Sequence, residues 1–138
     1  MKVLIDTNII LDVLTKRDPH YKFSSSFLKL CGTRVTGCIA ASQITDIFYI
    51  LRRDGKNAVS AKNIVKKLTD NIKQVDVTAA DVQNALASNM PDYEDALLAY
   101  CAKRQKADYV ITRNEIDFKL SPVPALSPQQ FLKQFFSV

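Results

Sequence analysis

The chain has 138 residues, 47% of them hydrophobic, and carries 19 Lys and Arg against 14 Asp and Glu, for a formal charge of +5. That length suits one domain, 1–138, with a sizeable core. The apolar opening Met1 to Ile5 stops at Asp6, too short for a signal peptide or a membrane span, so a soluble cytoplasmic protein with no membrane contact is expected.

Met1 to Ile5 reads as a buried strand, followed at Asp6-Thr7-Asn8 by the start of a helix that carries Ile9, Ile10, Val13 and Leu14. Tyr21 to Cys31 is a second helix, stopped by Gly32, and Arg34 to Gly37 a brief strand. From Ile39 to Arg53, Ile44, Ile47, Phe48 and Leu51 recur at helical spacing until Asp54-Gly55 breaks the pattern. A helix over Ala58 to Leu68, a strand over Ile72 to Val75 and helices over Ala79 to Ala87 and Tyr93 to Lys103 follow. Asp108 to Thr112 is the last predicted strand. Beyond a linker holding Pro122 and Pro124, Ser127-Pro128 opens a final helix ending near Phe136. Cys31, Cys38 and Cys101 are odd in number and lack Cys-x-x-Cys spacing, which argues for buried free thiols over disulfides or a thiolate zinc site.

Strands alternating with helices predict an α/β fold with a mainly parallel central sheet and helices on both faces. In such sheets the site lies at the carboxyl ends of the strands. Asp6 ends the first strand, and Thr112, Asn114 and Asp117 follow the last. Asp92 and Asp95 open a helix on one face, and Asp46 sits inside the long helix. Each has an ordinary alternative: Asp6, Thr7 and Asp92 as helix caps, Asp95 as a partner for the helix dipole, Asp46 as a solvated residue, Asn114 as a turn.

Together these segments resemble a known family. Leu4-Ile5-Asp6-Thr7-Asn8-Ile9-Ile10-Leu11 is similar to the opening motif of PIN domains of the VapC toxin type. Ala41-Ser42-Gln43-Ile44-Thr45-Asp46, Tyr93-Glu94-Asp95-Ala96-Leu97-Leu98-Ala99 and Val110 through Phe118 resemble its second, third and fourth motifs. The resemblance implies a PIN-like α/β/α sandwich, a metal-dependent ribonuclease and an acidic quartet of Asp6, Asp46, Asp95 and Asp117, supported by Asn8, Asp92, Thr112 and Asn114. It also implies a homodimer and an antitoxin that blocks the acidic pocket. The chain departs from the family at Asp46, where Glu is usual, and the fourth motif leaves either Asn114 or Asp117 to face the metal.

Carboxylates without thiol or imidazole suit Mg²⁺ or Mn²⁺, which neutralise phosphate charge and activate water for phosphodiester hydrolysis. An acidic pocket alone repels RNA, so basic residues around it gain a role. Arg113 inside the fourth motif is the first choice, then Arg52 and Arg53, with Lys56, Lys62, Lys66, Lys67, Lys103, Arg104 and Lys106 as further phosphate contacts or solvated faces. Tyr93 and Tyr100 read as packing residues and His20 as a helix-entry residue. A phosphatase with a second Asp two residues after the first is disfavoured by Asn8, and Gly32, Gly37 and Gly55 make no phosphate cradle. The competing reading is a PIN module that binds RNA or a protein without cutting.

Overall fold

The computed structural model describes residues 1–136. Five strands, β1 (Lys2–Ile5), β2 (Thr36–Ala40), β3 (Lys73–Val75), β4 (Tyr109–Ile111) and β5 (Ala125–Leu126), form one sheet in the order β3-β2-β1-β4-β5. Every pairing is parallel. The helices are α1 (Thr7–Leu14), α2 (Tyr21–Leu28), α3 (Ala41–Arg53), α4 (Ala58–Asn71), α5 (Ala79–Ala87), α6 (Tyr93–Arg104) and α7 (Pro128–Phe136), with a short 3₁₀ turn over Glu115–Phe118.

The alternation of a strand's side chains divides the core in two. Val3 and Ile5 of β1, with Ile39 and Ile111, face one layer and pack on Ile9, Ile10, Phe27, Ile47, Leu51 and Phe131. Leu4, Cys38, Ala40 and Val110 face the other and meet Ala85, Ala96, Leu98, Ala99 and Ala102. The small residues of α6 let that helix lie close on the sheet, whereas the first layer is filled by large groups such as the edge-on Phe27–Phe131 pair, 5.3 Å between centroids. Helices therefore cover both faces. The three cysteines are buried and free.

The sequence reading misplaces β2, which runs Thr36–Ala40 and not Arg34–Gly37. Gly37 to Ala40 is a fully buried run, and such a strand has no alternation to distinguish it from a helix start. Gly37 is where Cys31 closes on the strand: an added Cβ would meet its Sγ at 2.7 Å. The predicted linker leads into the edge strand β5, and the carbonyl of Pro124, just before that strand, accepts from Val110 N–H at 3.0 Å. Pro122 and Pro124 precede the strand, where their missing N–H groups take no bond from the ladder.

Among the described residues no helix is long and apolar enough to cross a membrane.

Candidate active site

The carboxyl ends of β1 and β2 open into a cleft of roughly 690 Å³ that Asp6, Thr7, Ser42, Gln43, Asp46, Tyr49, Tyr93, Glu94 and Asp95 help to line. A second cavity of about 410 Å³, lined by Met1, Arg34, Thr36 and Lys73, lies at the opposite, amino edge of the sheet and is remote from the carboxylates.

Asp6 follows β1 and occupies the N-cap position of α1, yet its side chain makes no capping bond. Its Oδ2 instead accepts from the Thr112 hydroxyl at 2.7 Å. Thr112 is fully buried, and its Oγ1 also accepts from Asn114 N–H at 3.1 Å, so β4 delivers one donor to Asp6 and fixes the turn that follows. Burial raises the Asp6 carboxyl above its usual value, against the opposing pull of Thr112, the Thr7 and Asn8 amides and the Arg113 charge.

Asp92 caps α6 by accepting from Asp95 N–H at 2.9 Å, which is the ordinary role open to it from sequence. The bond uses the Asp95 backbone, and among the described residues the Asp95 carboxylate makes no hydrogen bond of its own. Burial, then the charges of Asp6, Asp92, Asp117 and Glu94, push Asp95 up to about 7. Asp117 stands on the 3₁₀ turn, exposed like Asn114 before it, and Asp46 is exposed on α3 within the cleft. Asn8 is half-buried on α1, its Oδ1 shut from solvent with no partner among the described residues.

Gln43 escaped the sequence reading although it lies within the second motif. Fully enclosed, it accepts from Ala40 N–H at 2.6 Å through Oε1, while Nε2 donates to Ile5 O at 2.8 Å and Thr7 Oγ1 at 3.1 Å. One side chain thus ties the start of α3 to the turn that carries Asp6. A Gln three residues into a helix is half of a capping box, and that spacing was the available signal. Glu94 and the 64%-exposed Tyr49 also belong to the cleft, and Tyr93, expected in core or rim packing, lines it at 41% exposure. Tyr100 packs against the α6 layer.

The basic residues divide. Arg52 and Arg53 are exposed at the end of α3, with Arg53 beside Asp54 at 3.5 Å. Arg104, grouped with the phosphate contacts from sequence, is engaged by the buried Asp81 at 3.0 Å and by Asp76 at 3.3 Å. Arg113 directs Nε to Asp12, 2.8 Å away and fully buried.

Among the described residues no three His, Cys, Asp or Glu side chains stand close enough to form a ready-made ion cage. The donors lining the cleft are nevertheless all oxygen, and Asp6, Asp46, Glu94 and Asp95 bring to it negative charge that a hard divalent cation relieves, so by donor chemistry the residues fit Mg²⁺ or Mn²⁺.

Comparison with known proteins agrees with this architecture. A ribonuclease, VapC1 of Aquifex aeolicus (strain VF5), is 23% identical over 141 residues, covering 97% of this chain and 95% of that protein. The crystal structure of VapBC2 from Rickettsia felis, bound to a promoter DNA fragment, superposes with a TM-score of 0.72 at 18% identity over 92% of this chain and 98% of that one. A toxin–antitoxin complex from Klebsiella pneumoniae gives 0.69 at 17% identity over 91% and 97%. The family model for the PIN domain matches residues 2–115, and the chain belongs to the PIN domain family.

Proposed function

We propose that the protein is a ribonuclease that hydrolyses RNA phosphodiester bonds with Mg²⁺ or Mn²⁺. The observation that carries this reading is the gathering of the Asp6, Asp46 and Asp95 carboxylates in one cleft at the carboxyl edge of the sheet, with Asp117 near enough for its charge to act on Asp95. A divalent cation, when bound, neutralises phosphate charge, activates water and stabilises the leaving oxygen. Asp6 and Asp95 would hold the principal cation, and Asp46 and Asp117 a second one or the attacking water. Thr112 keeps Asp6 oriented, Asp92 holds the start of α6, and Asn8 and Asn114 flank the acids. Arg52 and Arg53 meet phosphates outside the cleft.

The named ribonuclease from Aquifex aeolicus supports the activity, and the Rickettsia felis and Klebsiella pneumoniae complexes support a toxin role with an antitoxin partner; a homodimer working in the cytoplasm belongs to the same proposal. The test is cleavage of a mixed pool of structured RNAs with Mn²⁺ or Mg²⁺, beside Asp95→Asn and an EDTA control. Metal-dependent cuts that the variant loses support the reading. Binding without cleavage in either metal refutes it and favours a non-cutting module, for which the exposed and shorter Asp46 is the specific ground.

A further inference from the structure

The acidic cleft lies over β1 and β2. On the other side of the Asp6–Thr112 bond, over β4 and β5, a smaller cavity of about 160 Å³ is lined by His20, Phe23, Ser24, Arg113, Glu115 and Ser127. The two are joined by consecutive residues: Thr112 reaches Asp6 in the first, and Arg113 lines the second. A single-stranded RNA lying along the carboxyl edge of the sheet passes from Asp6 and Asp95 to this cavity.

The cavity's chemistry is complementary to a nucleotide. Arg113 is not a loose surface cation. Its Nε donates to Asp12 at 2.8 Å, and Asp12, fully buried, also accepts from Ser24 Oγ at 3.1 Å on the same oxygen. Among the described residues the guanidinium makes no other hydrogen bond, and its side chain is 27% exposed, so its terminal N–H groups remain available from a fixed base. Glu115, which also lines the cavity, brings the reverse character: a carboxylate that accepts hydrogen bonds. A phosphate supplies oxygens for Arg113, and a ribose 2′-hydroxyl supplies the donor for Glu115.

An acid within a run of Ile9, Ile10, Leu11, Val13 and Leu14 is costly unless something depends on it. A buried ion pair is weak ground for stability alone. Holding Arg113 at a set angle is a use that accounts for both members.

We infer that this cavity is a subsite for the phosphate and ribose of the RNA nucleotide next to the scissile bond, with Arg113 the phosphate ligand, Asp12 its positioning residue and Glu115 the reader of the 2′-hydroxyl. The inference rests on RNA as the substrate. Its test is binding, without cutting, of a short labelled single-stranded RNA to the Asp95→Asn chain in Mn²⁺, followed by anisotropy against salt.

Adding Arg113→Gln weakens binding on the order of tenfold and lowers the salt slope by about 1. Asp12→Asn, which keeps the cation but frees it, weakens binding with the slope unchanged. Because Arg113→Gln strands a buried charge, the double variant Asp12→Asn/Arg113→Gln removes both and reads the same loss. Independently of folding, a single 2′-deoxy substitution walked along the RNA weakens binding at one position, and Glu115→Ala erases that difference. Unchanged affinity and slope in folded Arg113 variants, or a 2′-deoxy response that Glu115→Ala leaves intact, overturns the subsite. Metal-dependent cleavage by the chain with Asp95 intact, alongside such a result, leaves the nuclease reading standing, so the two fail separately.

Discussion

Replacing Gln43 by Leu tests whether one buried amide holds the site together. The substitution keeps the volume and removes three hydrogen bonds, to Ala40 N–H, Ile5 O and Thr7 Oγ1. Thr7 is partly exposed and can turn to water, but Ala40 and Ile5 are fully buried, so one N–H loses its partner and one C=O loses a donor. At about 1 to 2 kcal/mol for each such group the variant loses roughly 2 to 4 kcal/mol. For a chain of this size that is a fall in melting temperature of roughly 6 to 15 °C. Differential scanning calorimetry reads it. Gln43→Glu separates the two halves, because it keeps the acceptor for Ala40 N–H while losing the donors to Ile5 O and Thr7. Both variants should also weaken Mn²⁺ binding, since Asp6 directly follows Ile5. A fall below about 3 °C for Gln43→Leu, with metal binding intact, would refute the argument.

Mn²⁺ at a hundred times its dissociation constant should stabilise the protein by about 2.7 kcal/mol in a thermal-shift assay, and Asp6→Asn with Asp95→Asn should abolish the shift. Thr112→Val removes the donor that orients Asp6 and should weaken Mn²⁺ binding by roughly 10- to 100-fold in a calorimetric titration; unchanged affinity would show that the bond is incidental. Arg52→Gln and Arg53→Gln should each lower the salt slope of RNA binding by about 1. Burial works against the Asp81 charge, but hydrogen bonds and attraction from Arg104, with Thr78 N–H, prevail and hold its carboxyl below the usual value. A depressed folded value means stabilisation that is complete above the unfolded carboxyl value of about 4 and is lost as pH falls through the folded one. Melting temperatures of the natural chain and Asp81→Asn should therefore converge toward acid; a constant gap would exclude the ion pair as its source.

The fold was legible because its elements announce themselves. Ile44, Ile47, Phe48 and Leu51 set the period of α3, and short apolar runs ending in polar turns mark β1 and β4. What escaped was decided by partners distant in sequence. β5 is two residues long and exists only because β4 lies beside it, and β2 is a strand only because β1 and β3 flank it. In the cleft, motif positions pointed to Asp6, Asp46 and Asp95, which a common wall brings together, and to Asp117, whose charge reaches Asp95. Gln43 and Asp12 were missed since their work is done on backbone and side chains far along the chain. Asp12 did carry a signal, a lone acid among five apolar helix residues, and only the appearance of Arg113 beside it gives that signal meaning.

The central place of β1 also governs when the molecule becomes competent. β1 is made before the other four described strands and lies innermost, and its two neighbours arrive far apart in time: β2 some thirty residues later, β4 more than a hundred. The Thr112–Asp6 bond closes a separation of 106 residues. Closing so long a loop is slow and comes late, after local helices have formed. A nascent chain on the ribosome therefore carries Asp6, Asp46 and Asp95 without the strand that locks the first of them, and the carboxylate pocket is completed only when the C-terminal quarter has emerged and docked.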